Sequence, residues 1–341
     1  DGYGDHVLAN GNVAVLQRDT VVRVGQFGAN GAADASPAIN AAGVSGGVGS
    51  ILIFDSIDYT IATKLTPLLG QSYIGTSIPT ADPTNISNGT RFLRTTAVTM
   101  LEIYSSNRSD RTGHNLIERI TFVDNANTGA AAWISAQFAD SVILRECMFF
   151  QPITTTITCI CIDATECWDW RFYNCIWKQV GSASAAVIRV YNGADDSCNA
   201  WNFLDCRWQE SRGYAVDFDC TGAGNDNVEF FFTSCKWEDT GGNAPRHITV
   251  TEGASGQGAS RIHFVGCFLW SCDGYVCATG SNGGEWIWTN CQFANGGKGE
   301  TPKAYLQIQV PNCSIVGNMF QVPGASWAVI ASYIDADFTN S

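Results

Sequence analysis

FLDCRW, at residues 203–208, is one of six segments in which a cysteine lies three residues after one apolar side chain and two before another. The other five are LRECMF (144–149), FYNCIW (172–177), FTSCKW (232–237), FVGCFL (264–269) and WTNCQF (288–293). Successive cysteines are 24–32 residues apart, and IERITF (117–122) and IVGNMF (315–320) extend the repeat with Ile120 and Asn318 in place of cysteine. Eight copies at this spacing predict a solenoid.

Each copy contains the end of one strand, a corner and the start of the next strand. Apolar residues alternate before the cysteine, as in Trp201 and Phe203, and a period of two indicates a β-strand. Gly, Asn and Asp tolerate the positive φ that a sharp corner needs. The residue before the cysteine is Asn, Asp, Ser or Gly in five copies, at Asn174, Asp205, Ser234, Gly266 and Asn290.

A third apolar strand comes before each copy, and Gly-, Ser-, Asn- and Asp-rich loops join it to the repeat. These strands are CICID (159–163), VIRVY (187–191), AVDFD (215–219), HITVT (247–251), YVCAT (275–279) and YLQIQ (305–309), with LEIYS (101–105) and AWISA (132–136) as earlier candidates. Three strands per coil predict an all-β fold, a right-handed, single-stranded parallel β-helix whose coils pair about 4.8 Å apart.

The 14 cysteines have a structural explanation in this fold. The six aligned cysteines, at 147, 175, 206, 235, 267 and 291, are expected to point inward and stack as small hydrophobic residues. We expect reduced thiols, consistent with assembly in a reducing cytosol. Because the chain has no CxxC pair and only four histidines, we predict no metal site from this pattern.

The charge of the chain limits its partners. A formal net charge of −13 argues against binding to nucleic acid or to an anionic membrane surface. No run of 18 apolar residues is present, so we predict no membrane insertion. A neutral polysaccharide, or one contacted by a few local cations, is compatible with this charge.

Residues 22–76 carry a resemblance to a known family. Ser36 and Pro37 predict a short helix over about 36–43 that covers the open end of the first coil. FGANGAAD (27–34), AINAA (38–42), IFDSIDYTI (53–61) and LTPLLGQSYIGT (65–76) resemble the entry of pectate-lyase-like β-helices in bacteriophage tailspikes and tail fibres, although the usual Asp-bearing turn and Pro-Gly form are absent. The coil pattern extends the resemblance to about residue 335.

The resemblance implies a homotrimer in a phage tail, in contact with other virion tail proteins. Such a protein is assembled in the host cytoplasm and acts at the bacterial cell surface on a polysaccharide. We expect residues 1–21 to be a linker from an N-terminal anchoring part, residues 22–335 to form the β-helix and residues 336–341 to be a tail. The family contains hydrolases, lyases and non-catalytic receptor binders, so the fold alone leaves the reaction open.

The outward residues of the third strand are where we expect the chemistry, because a rigid scaffold presents function on its surface. Alternation predicts one outward row with Glu102, Trp133, Cys161, Arg189, Asp217, Thr249, Cys277 and Gln307. A second outward row has Tyr104, Ser135, Asp163, Tyr191, Asp219, Thr251, Thr279 and Gln309.

Three carboxylates in these rows, Asp163, Asp217 and Asp219, are the candidate catalytic residues. Asp217 and Asp219 are expected roughly 6.5–7 Å apart along one strand, and Asp163 about 9–10 Å away, two coils distant. Inverting glycosidases separate their acid and base by about 6.5–9.5 Å. The pattern therefore favours a glycoside hydrolase. The candidate substrate-binding residues are Trp133, Arg189, Tyr191 and Glu102.

Other interpretations of these residues stay open. Arg189 between carboxylates is compatible with a solvated cross-strand ion pair, and the protein with a receptor-binding or structural spike without catalysis. Glu210 and Glu238, one coil apart, are an alternative acid pair. A polysaccharide lyase would use Arg189 as base and Ca²⁺ held by the three aspartates, whereas a hydrolase needs no cofactor.

Overall fold

The computed structural model describes residues 6–7, 13–14, 21–76, 89–124, 131–151, 160–181, 185–238, 247–254, 256–270, 276–294, 304–310, 312–321 and 328–332. Three long parallel sheets, with eleven, ten and nine strands, wind as a right-handed β-helix of about nine turns. This confirms the predicted fold class.

Sheet 1 contains the strand that ends at the corner before each cysteine. Its strands are Val21–Arg23, Ile51–Ile53, Ser72–Ile74, Leu116–Glu118, Ile143–Arg145, Arg171–Tyr173, Asn199–Leu204, Asn227–Thr233, Ala259–Val265, Gly283–Thr289 and Ser314–Val316. Sheet 2 begins directly after the corner. Its strands are Asp58–Ile61, Thr90–Arg94, Ile120–Asp124, Met148–Phe150, Ile176–Lys178, Arg207–Gln209, Lys236–Glu238, Phe268–Trp270, Gln292–Ala294 and Met319–Gln321.

Sheet 3 is the third strand of each coil and bears the candidate site. Its strands are Leu101–Tyr104, Ile134–Gln137, Ile162–Thr165, Ile188–Tyr191, Val216–Cys220, Ile248–Glu252, Cys277–Ala278, Ala304–Ile308 and Ala328–Ser332. Two short pairs complete the described strands: Thr112–Gly113 beside Ala139–Asp140 in parallel, and His6–Val7 beside Val13–Ala14 in antiparallel.

The corner between sheets 1 and 2 is a left-handed residue, as the sequence predicts. The φ angles of Asn174, Asp205, Ser234, Gly266 and Asn290 lie between 51° and 62°. Arg119 and Glu146 adopt the same conformation in earlier coils, with φ angles of 56° and 54°. Stacking of successive coils therefore imposes this geometry even where the side chain does not favour it.

The interior is filled by stacked aromatic ladders. The rings of Trp177, Trp208 and Trp237 lie nearly parallel, with centroids 4.6 and 4.7 Å apart. Phe172, Phe203 and Phe232 form a second ladder at 4.4 and 4.7 Å. Each such pair contributes about 0.5–1.5 kcal/mol beyond the area it buries. Ring stacking along the helix axis therefore holds successive coils together.

The six aligned cysteines are buried free thiols that point inward, as predicted. Each thiol lies near a backbone carbonyl of the preceding coil: the Sγ of Cys206 donates to the carbonyl of Phe172 at 3.5 Å, and that of Cys235 to Phe203 at 3.4 Å. The thiols thus act as small core side chains with a weak donor.

The predicted capping helix runs over Ser36–Gly46 and follows a 3₁₀ turn at Val24–Phe27. Its first N–H, from Ser36, donates to Asp34 Oδ1 at 3.0 Å. Ala38, Ile39 and Ala42 are buried, so the helix covers the first coil. It is three residues longer than the predicted span because it continues to the glycine turn at Gly47, whose φ is 79°.

Only the first predicted domain boundary, near residue 21, can be compared with the structure. Val21, assigned to the linker in the sequence analysis, begins the first strand of sheet 1. The predicted tail at 336–341 lies outside the described residues. No helix in the described ranges has the length and apolarity that crossing a membrane requires.

Candidate active site on sheet 3

Backbone pairing in sheet 3 fixes the two outward rows. Asp163, Arg189 and Asp217 pair in consecutive coils and form the first row. This row continues to Ser135 and Glu102 on one side and to Thr249 on the other. The second row contains Tyr104, Gln137, Thr165, Tyr191, Asp219 and Thr251. Five of the predicted site residues therefore lie on three adjacent coils.

Part of the predicted register is wrong. Asp163 lies in the row of Arg189 and Asp217, not in that of Tyr191 and Asp219, because Ile162 is the residue that pairs with Ile188. Cys161 is buried instead of facing outward. Ile and Cys are both common in protein cores, so either the isoleucines or the cysteines of CICID could point inward. The small Ala164 completes the inward set.

Trp133 was predicted to stack on a sugar from the outer face, and this is wrong. Its side chain is fully buried, with its ring 6.1 Å from that of Phe149. The strand begins one residue later, at Ile134, and Ser135 takes the position paired with Glu102. Cys277, also predicted to face outward, is buried and pairs with Ile248.

Arg189 connects two of the three aspartates. Its Nε lies 3.0 Å from Asp163 Oδ1 and 3.8 Å from Asp219 Oδ2. Its guanidinium carbon is 5.3 Å from the ring centre of Tyr191, within cation–π range. Because both oxygens contact the same nitrogen, they can be no farther apart than the sum of the two distances, about 7 Å. That limit includes the lower end of the inverting range and the retaining range of about 5–5.5 Å.

Asp217 has a different environment from its two neighbours. It is half-buried, and both its carboxylate oxygens accept from Thr251 Oγ1 in the next coil, at 2.9 and 3.0 Å. Burial raises the pKa of Asp217 to about 7, and the negative charge of Asp219 adds to the rise, while Thr251 and Arg189 oppose it. Asp217 therefore retains its proton to near neutral pH.

Asp219 has hydrogen-bond donors at one carboxylate oxygen and a cation near the other. Its Oδ1 accepts from the backbone N–H of Thr221 at 3.1 Å and from Thr221 Oγ1 at 2.6 Å, and Arg189 faces its Oδ2. Burial raises the pKa of Asp163 despite the attraction of Arg189.

Glu102 occupies the far end of the first row. Its Oε2 lies 2.5 Å from Lys64 Nζ, so it is held in an ion pair two coils from Asp163. Tyr104, in the second row, exposes 54% of its surface. Tyr104 and Tyr191 therefore offer two aromatic faces in one row, three coils apart.

The alternative acid pair does not have the properties of an acid and a base. Glu238 is ion-paired with Lys236 and accepts from Gln209 Nε2 at 3.1 Å. Burial acts to raise its pKa, but these hydrogen bonds outweigh burial and lower it. Glu210 is a left-handed corner residue with a φ of 51°, bonded to Gln179, and Gln209 is the residue that pairs with Glu238.

The aspartates also do not fit the Ca²⁺ site that a lyase would need. Among the described residues, no three His, Cys, Asp or Glu side chains converge as metal ligands do. The guanidinium of Arg189 lies between the carboxylates of Asp163 and Asp219, where a shared cation would have to bind.

Two contacts of the site were missed in the sequence analysis. Thr251 appears in the predicted second row, but it donates to Asp217, which lies in the first row of the preceding coil. Thr221 follows Asp219 by two residues, and this D-x-T spacing is a recognisable local signal, since short hydroxyl side chains bond carboxylates two positions away.

Known proteins resemble this chain in its fold. No protein-family model and no curated protein sequence matches the chain. Among solved structures, an open-reading-frame product of a Geobacillus virus matches with a TM-score of 0.70 at 17% identity, over 97% of this chain and 67% of that one. The tailspike of an Acinetobacter phage matches with a TM-score of 0.63 at 14% identity, over 96% and 63%.

A tailspike of an Escherichia coli bacteriophage, solved with a hexasaccharide, matches with a TM-score of 0.55 at 8% identity, over 97% of this chain and 68% of that one. The chain thus spans about two thirds of the length of these three proteins. Its nine-turn solenoid matches the β-helix of phage tailspikes, as the sequence resemblance implies.

Proposed function

We propose that this chain binds and hydrolyses a bacterial surface polysaccharide, as part of a phage tailspike. The observation that carries the proposal is the contrast between Asp217 and Asp219. Asp217 keeps its proton to about pH 7, whereas the carboxylate of Asp219, two residues away, accepts two hydrogen bonds from Thr221 and lies 3.8 Å from Arg189. A glycosidase uses two neighbouring carboxyl groups in different environments as its acid and its base.

In the proposed reaction, Asp217 donates its proton to the glycosidic oxygen as the bond to the leaving sugar breaks. Asp219 accepts a proton from the attacking water. Arg189 holds the Asp219 carboxylate and keeps Asp163 paired on the opposite side. Tyr191, with Glu102 and Lys64 farther along the face, lines the path of the polymer. General acid–base catalysis of this kind contributes about 10²–10⁴-fold to the rate.

The test is release of reducing ends from purified bacterial surface polysaccharides. We expect Asp217→Asn and Asp219→Asn each to lower the rate by at least about 100-fold while circular dichroism stays unchanged. Asp226→Asn is the control, because Asp226 bonds Gly258 and Ser260 away from the site. Full activity in both site variants would reject the assignment.

A second candidate is a receptor-binding spike without catalysis. The ion pair of Arg189 with Asp163 favours it, because such a pair is also ordinary surface chemistry. This protein would bind the polysaccharide but release no reducing ends. A lyase is less well supported; it would release an unsaturated uronate that absorbs in the ultraviolet.

The assembly we propose is a homotrimer in the virion tail, in contact with other tail proteins and assembled in the host cytoplasm. Sheet 1 exposes an apolar residue in every second coil of a single row, at Leu204, Val265 and Val316, with Thr233 and Thr289 in the coils between them. Exposed apolar patches of this kind often mark subunit contacts. Light scattering of the purified chain should give three times the chain mass.

A further inference from the structure

The cations that contact the outer face of sheet 3 are already neutralised by the protein. Arg189 lies between Asp163 and Asp219, and Lys64 contacts Glu102 at 2.5 Å. Each pairs with a carboxylate that belongs to the same face. A guanidinium or ammonium held in this way has little attraction left for an acidic group on a ligand.

The other residues of the two rows add no positive charge. Within the described strands from Leu101–Tyr104 to Ile248–Glu252, these residues are hydroxyl, amide or aromatic side chains: Ser135, Gln137, Thr165, Tyr104, Tyr191, Thr249 and Thr251. The face therefore carries four carboxyl groups, at Glu102, Asp163, Asp217 and Asp219, against one arginine and one lysine.

The sequence before these strands has few cations. The stretches before the strands of Ser135, Asp163 and Arg189 are NANTGA (125–130), PITTTITC (152–159) and SAS (182–184), and none contains Lys or Arg, whereas Arg212 and Arg246 precede the strands of Asp217 and Thr251. On the other side, Arg108 and Arg111 both contact Asp196, at 3.0 and 3.1 Å, and Arg111 also pairs with Asp140.

An acidic sugar would meet an unfavourable environment at this face. Its carboxylate would lie within a few ångströms of Asp163 and Asp219, and the two cations that contact this face in the described part of the chain, Arg189 and Lys64, are already paired. It would also hold the proton on Asp217 more tightly, so that Asp217 would be a weaker acid toward the glycosidic oxygen. Hydroxyl and N-acetyl groups, in contrast, match the Ser, Thr, Gln and Tyr side chains of the rows.

We infer that the polysaccharide segment bound across these coils is electrically neutral, built of hexoses, deoxyhexoses or N-acetylated amino sugars without carboxylate or phosphate groups. This inference rests on the proposed function and names its substrate class.

The experiment uses surface polysaccharides purified from bacteria, grouped by the presence or absence of uronate in the repeating unit. Each uronate polymer is also prepared with its carboxylates reduced to primary alcohols, which removes the charge and keeps the linkages. Binding is measured by calorimetry with the Asp217→Asn variant of the whole chain, and cleavage with the unaltered chain. We expect binding and cleavage only among neutral polymers, and binding at least tenfold weaker once their primary hydroxyls are oxidised to carboxylates.

A variant pair tests the charge argument inside the protein. Glu102→Gln releases Lys64 from its partner, so it should strengthen binding of the oxidised polymer severalfold relative to the neutral one. Glu229→Gln, which removes the partner of Arg261 on sheet 1, is the matched control and should leave that ratio unchanged.

The outcomes separate the two proposals. Cleavage of a uronate polymer that gives saturated products and is lost when its carboxylates are reduced would overturn the inference and leave hydrolysis standing, whereas an unsaturated product would overturn both. Binding of neutral polymers without cleavage would support the inference for a receptor-binding protein. If neutral polymers bind no better than their oxidised forms, the inference is wrong whatever the reaction.

Discussion

Thr251 Oγ1 lies 2.9 and 3.0 Å from the two carboxylate oxygens of Asp217, one coil away. In the proposed mechanism, this hydroxyl fixes the orientation of the general acid and moderates its pKa. Thr251 is therefore a positioning residue, which touches the acid and not the reacting sugar.

Removing this hydroxyl should change the pH dependence of the reaction. Thr251→Val deletes a donor to the charged form of Asp217, so the pKa of Asp217 should rise further above its ordinary value. Because a general acid acts in its protonated form, the alkaline limb of the kcat/KM profile should move to higher pH. Thr251→Ser should restore the limb. Thr221→Val is the comparison, because it removes a donor to Asp219 and leaves the contacts of Asp217 in place, so the alkaline limb should not move.

Asp217 should also make the folded state sensitive to pH. Its pKa is about 7 in the folded protein against an ordinary value of 3.8, so the folded state binds the proton more tightly than the unfolded state. The contribution of Asp217 to the free energy of unfolding should therefore be greatest below about pH 4, fall as the pH rises to about 7, and stay level above that, with a total change of at most about 4 kcal/mol.

Asp217→Asn should remove that dependence. At pH 8 the variant should unfold at higher denaturant concentration than the unaltered chain, and at pH 4 the two should be nearly equal. The reverse ranking, with the variant less stable at pH 8, would show that the charged carboxylate stabilises the fold. Activity and stability would then not trade off at this residue.

Arg189 should be needed for the site more than for the fold. Arg189→Gln leaves Asp163 and Asp219 without their shared cation, so the pKa of Asp163 should rise further. We expect a loss of kcat of at least about tenfold and a change in unfolding free energy of no more than about 1 kcal/mol, since the ion pairs are partly exposed. Arg261→Gln, which removes a similarly exposed pair on sheet 1, should leave kcat unchanged.

The corner residues give a test of the fold itself. Ser234 is exposed and has a φ of 54°, a conformation that glycine adopts freely and β-branched residues avoid. Ser234→Val should lower the free energy of unfolding by about 1–3 kcal/mol, and Ser234→Gly should be neutral or slightly stabilising. Chemical denaturation of both variants measures the difference; equal stabilities would contradict the strained corner.

The sequence was most informative where one position admits few residue types. The corner at Asn174 and Asp205 could be predicted because positive φ restricts the residue, and the inward cysteines because they recur at the coil spacing. It was least informative at Trp133 and Cys161. There the residues on both sides of the strand are apolar, and a small inward alanine, Ala136 or Ala164, hides the true alternation.

The chemistry of the site was partly accessible from the sequence. Alternation placed Arg189, Asp217, Tyr191 and Asp219 on the outer face. It could not show which donors contact Asp217 and Asp219, because these are Thr251 in the next coil and Thr221 in the following loop, nor that burial raises the pKa of Asp217. Pairing of side chains across coils is a property of the stacked structure and leaves no fixed spacing in the chain.

The pairing of Asp163, Arg189 and Asp217 on three consecutive rungs has a consequence for how activity is acquired. In the proposed mechanism, the acid and the base lie in one coil and the arginine in the coil before it. A nascent chain that has folded only as far as Tyr191 would therefore have no activity. Activity should appear in one step when the rung at Val216–Cys220 docks and Thr251 closes over it. Under the proposed mechanism, an incompletely wound chain would therefore have no partial activity.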